Sequence, residues 1–299
     1  MNPLLCGRNG YLARIPSSAI SGGLIGRGTS HRRPRGFFNT HRALPLEMSD
    51  SHHPTDLSPS VPASIEMQTE VRDFFGWRET DDFHSAQSLL SAVEDSENPT
   101  WARHKRLATL SKLYRRLVIR QADIAVLGAA IEPDELLAAL ETPTILVPAD
   151  GATGVLSELP ASISDKAWSR IACVVSDADG GSGTNEAVWR AVPIVLHAHA
   201  DNTTNWRDLL NLAMAQVEPP ELILTHQTTK KIPGMHNPGG FTDGDRAVCF
   251  LLALGVERRR ISLLGTRTDI VGRWSGYTNE ERKLEKLIWM ERVLDIHGF

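Results

Sequence analysis

The chain has 299 residues, of which 41% are hydrophobic and 23% charged, proportions that exclude a disordered, collagen-like or coiled-coil protein. Its longest apolar run, residues 248–256, is far shorter than the roughly 18 to 20 residues that a membrane-spanning helix needs. The three cysteines are widely spaced, so they predict neither a disulfide framework nor a thiolate zinc site, and they favour the reducing cytoplasm.

The formal net charge of −4 is unevenly distributed along the chain. Residues 1–47 contain seven arginines, no lysine and the single acid Glu47, so residues 48–299 carry a net charge of −10. Because nucleic-acid-binding domains present a basic surface, this acidic part argues against a nucleic-acid partner. An anionic substrate would need a metal ion or a local group of basic side chains.

Residues 1–65 are predicted to be an extension that lies outside the folded part. Residues 1–47 are rich in Arg, Ser and Gly and lack hydrophobic periodicity, which is the composition of a transit peptide. The favoured interpretation is nevertheless a start assigned too early, with Met48 or Met67 as the real start. Residues 48–65 resemble a Ser/Pro/His linker that has no means of building a core.

Residues 66–121 are predicted to form a helical region. Its apolar residues at helical spacing are Leu107, Leu110, Tyr114 and Leu117. Four arginines are distributed around them and are predicted to form a solvated face: Arg103, Arg106, Arg115 and Arg116.

Residues 122–299 are predicted to form an α/β domain, because short apolar runs alternate with helical stretches. The apolar runs are Ile124 to Leu127, Thr144 to Val147, Ile171 to Val175, Ile194 to Leu196, Leu222 to Leu224 and Ile261 to Leu264. This alternation predicts a mostly parallel, doubly wound sheet of about six strands with helices on both faces. The last helix is predicted to begin with a Thr278-x-x-Glu281 capping box and to run to about Ile296.

Polar and ionisable side chains follow four successive predicted strands. They are Asp150 and Gly151; Asp177 and Asp179; His197, His199, Asp201 and Asn202; and Gln227. Ligands bind at the carboxyl ends of parallel strands, so we expect these residues to line one edge of the sheet.

Asp177 and Asp179 are candidate ligands of a metal ion. Alternation along an extended chain places both carboxylates on one face, where they repel each other unless a cation lies between them. Oxygen ligands of this kind favour Mg²⁺. A turn that uses Asp and Gly after a strand is the simpler alternative, but the nearby Asp150 favours the metal site.

The segment His197-x-His199-x-Asp201 allows two interpretations. Paired histidines at this spacing bind zinc or iron in several hydrolase classes, but a lactamase-type site would have a further histidine where this chain has Asn202. The favoured interpretation is that the neutral imidazoles donate hydrogen bonds to substrate or phosphate.

A glycine-rich loop leads into a predicted helix near residue 243. The residues of this loop that are candidates for ligand contact are Asn237, Gly239, Gly240, Phe241, Thr242, Asp243, Asp245 and Arg246. Glycines let backbone N–H groups approach a phosphate, and the start of a helix adds partial positive charge. Capping by Thr242 or Asp243 would explain part of the pattern. The loop matches neither a Walker motif nor a dinucleotide fingerprint.

The acidic residues bear on the chemistry of a phosphate site. A polyphosphate beside Asp177, Asp179 and Asp243 would be repelled by several kcal/mol at an effective dielectric constant of about 20. A bridging Mg²⁺ removes this repulsion, which is the arrangement used in phosphoryl and diphosphoryl transfer.

Together and in this order, the motifs resemble the archaeal 6-hydroxymethyl-7,8-dihydropterin pyrophosphokinase family, which is similar to thiamine pyrophosphokinase. The matching stretches are residues 149–152, 176–180, 197–202 and 239–247, Leu263-Leu264-Gly265, and Lys283-Leu284-x-Lys286-Leu287. The resemblance covers roughly residues 120 to 295. The chain departs from the family at Thr266-Arg267, where the family tends to have Met-Asp.

The resemblance implies transfer of the terminal diphosphate of ATP to the pterin hydroxymethyl group, with release of AMP, in folate or methanopterin biosynthesis. It implies that Asp177 and Asp179 hold Mg²⁺ with Asp150 near them, that Asp243 joins them in catalysis, and that the histidines and the loop contact nucleotide or pterin. We therefore expect a cytoplasmic enzyme with small-molecule partners and no nucleic-acid or membrane partner. A homodimer is compatible with the sequence.

Four other functions are compatible with the same residues. Thiamine pyrophosphokinase would perform the same chemistry on another alcohol. A nucleotide-sugar transferase would use Asp177-x-Asp179 as its metal motif, and a zinc hydrolase would use the paired histidines. A protein that binds a nucleotide or a pterin without turnover is the non-enzymatic alternative.

Overall fold

The computed structural model describes residues 55–276 and 279–299. The predicted extension over 1–65 therefore lies largely outside the described residues, as does Thr278 of the predicted capping box. The described N-cap of the last helix is Asn279, whose side chain accepts a hydrogen bond from the backbone N–H of Arg282. Among the described residues no helix has the length and apolar character needed to cross a membrane.

The N-terminal part is helical up to residue 119. Its elements are α1 (Ala63–Phe75), α2 (Glu79–Glu94), α3 (Arg103–Tyr114) and a π-helical turn (Arg115–Ile119). Helix α1 ends at Gly76, whose φ of 68° is the left-handed conformation that glycine adopts readily at helix ends.

The predicted solvated face of arginines on α3 is wrong at Arg106. Its side chain is only 5% exposed, and Nη1 donates to the carbonyl of Trp101 at 2.7 Å while Nη2 donates to Glu94 at 2.9 Å. Arg103, on the exposed side of the same helix, pairs with the same Glu94 carboxylate. Arg106 is buried because it packs against the segment around Trp101 and Glu94, and helical periodicity within α3 does not predict these contacts.

Each of the six predicted apolar runs overlaps a strand, and the strands pair in parallel. The strands are β1 (Ile124–Leu127), β2 (Ile145–Pro148), β3 (Val174–Ser176), β4 (Ile194–Ala198), β5 (Leu222–His226) and β6 (Ile261–Leu264). The helices around them are α4 (Pro133–Leu140), α5 (Ala161–Arg170), α6 (Gly181–Trp189), α7 (Thr203–Met214), α8 (Asp243–Leu254) and α9 (Glu280–Ile296). The predicted α/β class is confirmed.

The prediction of about six strands in one sheet is not confirmed, because the strands form two sheets of three, ordered β2-β1-β6 and β3-β4-β5. Two isolated parallel bridges, Leu146 to Ile171 and Ala149 to Val175, join the edge of one sheet to the edge of the other. Between these bridges one chain advances three residues and the other four, so the register slips by one residue. Such a slip interrupts the hydrogen-bond ladder as a bulge does.

Successive strand residues pack on opposite faces, as the pleat requires. Ile124 and Val126 belong to a core cluster that includes residues of α8 and α9, whereas Ala125 and Leu127 pack with residues of α4. In the second sheet, Leu196 packs with residues of α2 and α7. Helices therefore cover both faces of the strands.

This topology brings particular strand ends together. Strands β2 and β3 lie at the two joined edges, so the residues that follow them are neighbours in space. Helix α8 packs against β1, β2 and β3, with its first residue, Asp243, at the same end.

Candidate active site

Four carboxylates meet at this end of the strands. Asp150 follows β2, Asp177 and Asp179 follow β3, and Asp243 begins α8; each offers an oxygen that lies within 4.8 Å of an oxygen of each of the others. The structure thus brings together the three acids predicted to be catalytic and the fourth predicted to lie near them.

Asp150 is held in place by two hydroxyl groups. The Ser176 hydroxyl donates to Asp150 Oδ1, and the Thr184 hydroxyl donates to the same oxygen at 3.1 Å. Asp150 has a φ of 46°, an uncommon conformation for a residue other than glycine. The next residue, Gly151, has no room for a side chain, because a Cβ there would lie 2.7 Å from the carbonyl oxygen of Gly180.

Asp177 and Asp179 converge through a turn and not through the extended chain that their spacing predicted. Strand β3 ends at Ser176, and Ala178 adopts a φ of 75°. The Ser176 hydroxyl oxygen accepts a hydrogen bond from the backbone N–H of Ala178 at 2.8 Å, which fixes this turn. Strained backbone of this kind recurs at functional sites.

Asp177 has partners on one oxygen only. Its Oδ2 accepts a hydrogen bond from His199 Nε2 at 3.2 Å and lies 3.9 Å from Arg246 Nη1. Its Oδ1 is buried and has no hydrogen-bond partner among the described residues. A buried carboxylate oxygen without a partner is costly, so an unpaired oxygen on one of four clustered carboxylates fits a divalent cation held by this group.

The crowding of carboxylates shifts their pKa values in different directions. Burial, reinforced by the neighbouring aspartates, raises the pKa of Asp150 well above its usual value and raises that of Asp243 to about 8. The same causes raise the pKa of Asp179. Burial acts against ionisation of Asp177 too, but the His199 hydrogen bond and the positive charges of Arg246 and Lys283 hold its pKa well below the usual value.

The two histidines are engaged at both ring nitrogens. His199 Nδ1 accepts a hydrogen bond from the backbone N–H of Asp201 at 3.3 Å. The proton of the ring is therefore on Nε2, which donates it in a hydrogen bond to Asp177 Oδ2. His197 Nδ1 contacts the Thr225 hydroxyl and Nε2 contacts Gln227 Oε1. These contacts leave no free nitrogen for zinc, so the geometry favours hydrogen bonding over the zinc hydrolase.

Arg246 lies at the border of the acidic group. Its Nη1 is 3.3 Å from Asp243 Oδ1 and its Nη2 donates to Gln227 Oε1 at 3.1 Å, whereas its Nε is buried without a partner among the described residues. A second cation, Lys283 of α9, lines a small cavity of about 60 Å³ together with Asp179 and Asp243. An anion next to the carboxylates would therefore meet positive charge.

The sequence did not point to Asp82 and Arg72 of the N-terminal helices, yet both are buried behind the site. Gln227 Nε2 donates to Asp82 Oδ2 at 2.9 Å, and Asp82 Oδ1 accepts from the backbone N–H of Ala200 at 3.0 Å. Arg72 Nη1 donates to the carbonyl of Gln227 at 2.8 Å. Helices α1 and α2 thus fix the ends of β4 and β5, and no local pattern in those helices predicts the contact.

The glycine-rich loop is held by its own side chains. Asp245 accepts from the backbone N–H of Thr242 at 3.0 Å in a capping box, and Asn237 exchanges hydrogen bonds with Gln68. Gly240 has a φ of 89°, and a Cβ there would lie 2.7 Å from the Cα of Arg246. The side chains of Asn237 and Asp245 are therefore engaged within the protein.

The remaining predicted contact residues do not reach the acidic group with free side chains. Asp201 is exposed, with Arg282 3.7 Å away. Asn202 Nδ2 donates to the carbonyls of Asp177 and His197, which ties two strand ends together. Phe241 is buried in an aromatic cluster with Phe75 and Trp77. Gly239, with a φ of 94°, shapes the loop.

Comparison with known proteins gives two archaeal relatives, both named 6-hydroxymethyl-7,8-dihydropterin pyrophosphokinase. The Methanothermobacter thermautotrophicus protein is 37% identical over 126 residues, 40% of this chain and 46% of the relative. The Pyrococcus furiosus protein is 36% identical over 156 residues, 50% of this chain and 60% of the relative. The predicted resemblance is confirmed. The segments that match this chain make up about half the length of the two relatives. No family model matches the chain.

The raised pKa of Asp243 predicts how stability depends on pH when no divalent ion is bound. The folded protein binds a proton at Asp243 up to about pH 8, whereas the unfolded chain releases it near the usual value of 3.8. The free energy of unfolding should therefore fall between pH 6.5 and 8, by on the order of 1 kcal/mol per pH unit. Urea denaturation in chelator measures this.

Asp243→Asn should make the pH profile less steep, because it removes one of the protons that the folded state retains. Asp150 and Asp179, whose pKa values are also raised, should keep part of the slope. Asp201→Asn, which changes an exposed acid outside the group, should keep the profile of the unaltered protein. Parallel profiles for all three proteins would contradict the electrostatic account.

Proposed function

We propose that this protein transfers diphosphate from ATP to the hydroxyl group of 6-hydroxymethyl-7,8-dihydropterin in a Mg²⁺-dependent reaction that releases AMP. The observation that carries the proposal is the unpaired buried Oδ1 of Asp177 within a group of four carboxylates. The names of the two archaeal relatives supply the acceptor and the type of transfer.

The transfer exchanges one phosphorus–oxygen bond for another. The pterin hydroxyl oxygen bonds to the β-phosphorus of ATP, the bond from that phosphorus to the oxygen bridging to the α-phosphorus breaks, and AMP leaves with this oxygen. The hydroxyl proton passes to solvent. Reactions of this type depend mainly on positioning and on neutralising charge.

Asp177 and Asp179 would hold Mg²⁺, with Asp150 and Asp243 completing the acidic group. A bound Mg²⁺ would supply the positive charge that lets a polyphosphate approach these carboxylates. Asp177 suits this role because His199 and Arg246 keep it ionised and oriented.

The cations at the border of the group would bind phosphate oxygens. Arg246 has a buried Nε without a partner among the described residues, and Lys283 lines the cavity beside Asp179. Arg246 is held by Gln227 behind it, so its guanidinium is oriented before any ligand binds. The N-terminus of α8 adds backbone N–H groups at the same place.

The same proposal places the enzyme in the cytoplasm, in folate or methanopterin biosynthesis. The described cysteines, Cys173 and Cys249, are buried and free, which suits a reducing compartment.

An assay of AMP release tests the reaction and its acceptor. The purified chain with ATP, Mg²⁺ and 6-hydroxymethyl-7,8-dihydropterin should release AMP and form the pterin diphosphate, and chelator should abolish both. Thiamine is the matched alternative acceptor, and a sugar nucleotide without ATP tests the nucleotide-sugar transferase. Turnover with thiamine and none with the pterin would overturn the assignment of the acceptor.

Substitution of the proposed metal ligands tests the site. Asp177→Asn and Asp179→Asn should each lower kcat by about 100-fold or more, because several kcal/mol of charge stabilisation is lost. Asp208→Asn is the matched control, because Asp208 is an exposed acid of α7 outside the candidate site and its substitution should leave activity unchanged. Circular dichroism should show all three variants folded. Near-normal turnover by Asp177→Asn would show that the metal site is wrongly placed.

A further inference from the structure

A second cavity lies away from the four carboxylates, between α3, the end of β5 and the segments 55–59 and 228–237. Its volume is about 490 Å³, within the range of small-molecule sites. The cavity at the acidic group and this one share no lining residue. It is therefore a separate space in the described part of the protein.

The walls of this cavity combine apolar surface with basic side chains. The apolar contribution includes Leu107, Leu224, Ile232 and Met235. The basic side chains are Arg103, Arg106, Lys230 and Lys231, against the single lining acid Asp56. Glu94 neutralises part of the charge of the two arginines, and Asp56 pairs with Lys231 at 3.1 Å, so a surplus of positive charge remains.

His226 adds a directed hydrogen-bond donor. His226 is only 3% exposed, and the backbone N–H of Thr228 donates to its Nδ1 at 3.2 Å. A backbone N–H cannot reverse its role, so Nδ1 is the acceptor and the proton of the neutral ring sits on Nε2. Nε2 has no partner among the described residues, and His226 is one of the residues that line the cavity.

A second histidine, on the segment that pairs with the end of β5, repeats this arrangement. His236 is buried and lines the cavity, and its Nδ1 accepts from the backbone N–H of Leu57 at 3.2 Å. Its Nε2 likewise lacks a partner among the described residues. Burial lowers the pKa of His226 to about 4, so this ring is a neutral donor at pH 7. Burial also lowers the pKa of His236, although Asp56, 3.6 Å from its Nδ1, acts in the opposite direction.

From these contacts we propose that this cavity binds a small organic anion with an apolar, ring-sized body. The apolar walls suit the body, and the lysines with the two N–H donors suit a carboxylate, sulfonate or phosphate group. The site is distinct from the acidic group where the proposed transfer takes place, so its existence does not depend on that activity.

A pair of fluorescent probes with one skeleton tests the proposal. 8-Anilinonaphthalene-1-sulfonate carries the anion, and N-phenyl-1-naphthylamine is its neutral counterpart. The full chain should bind one equivalent of the sulfonate, and more tightly than the neutral probe. Equal affinity for both probes, or several equivalents bound without saturation, would overturn the anion site.

Two variants locate the bound sulfonate. Lys230→Gln with Lys231→Gln should weaken its binding by about fivefold, the scale of two exposed ionic contacts, and should leave the neutral probe unaffected. The matched control, Lys105→Gln with Lys166→Gln, removes two exposed lysines that do not line the cavity and should change nothing. Equal effects of both pairs would show a non-specific charge effect and overturn the site.

A third variant narrows the cavity. Leu107 is 37% exposed on α3, so Leu107→Trp can enlarge this wall without disturbing the core, and it should weaken the binding of both probes. Unchanged affinity for both probes would place them elsewhere and overturn the proposal.

A competition measurement separates this inference from the proposed function. Asp177→Asn with Asp179→Asn should still bind the sulfonate, and saturating Mg²⁺ and ATP should not displace it from the unaltered protein. Displacement by ATP would show that the cavity belongs to the nucleotide site, which would overturn the second site while leaving the transferase proposal standing.

Discussion

The burial of four carboxyl groups beside one another is the constraint on which this site depends. Asp150, Asp177, Asp179 and Asp243 come from two strand ends and one helix start, and each offers an oxygen that lies within 4.8 Å of the others. Burial, reinforced by the neighbouring aspartates, disfavours ionisation and raises the pKa values of three of the four. A bound divalent cation would make ionisation of these carboxyl groups favourable. The same cation would let a polyphosphate approach them, which is why this edge of the sheets suits polyphosphate chemistry.

The surrounding network keeps one carboxylate ionised in spite of its neighbours. His199 and Arg246 contact Asp177, Gln227 holds Arg246, and Asp82 holds Gln227. This chain of contacts runs from the acidic group to helix α2 of the N-terminal region. The helices before the strands therefore contribute to the site, although none of their side chains is placed among the four carboxylates.

Much of this arrangement could be predicted from the sequence, because buried parallel strands are short apolar runs and ligands collect where such strands end. The six strands and the meeting of the acids follow from that rule. The rule does not give the register slip between Leu146 and Ala149 that divides the strands into two sheets. Nor does it show that Ala178 turns the chain, because the Ser176 hydroxyl fixes that turn through a side-chain contact that apolar periodicity does not reveal. The position of Asp201 at the surface, beside Arg282, depends on a long-range contact.

Crystals soaked with Mn²⁺, a divalent ion that can replace Mg²⁺ and scatters anomalously, would locate the metal ion. We expect one anomalous peak bound by carboxylate oxygens of Asp177 and Asp179, with Asp177 Oδ1 among the ligands. No peak at the acidic group, or a peak on His197 and His199 instead, would contradict the proposed metal site.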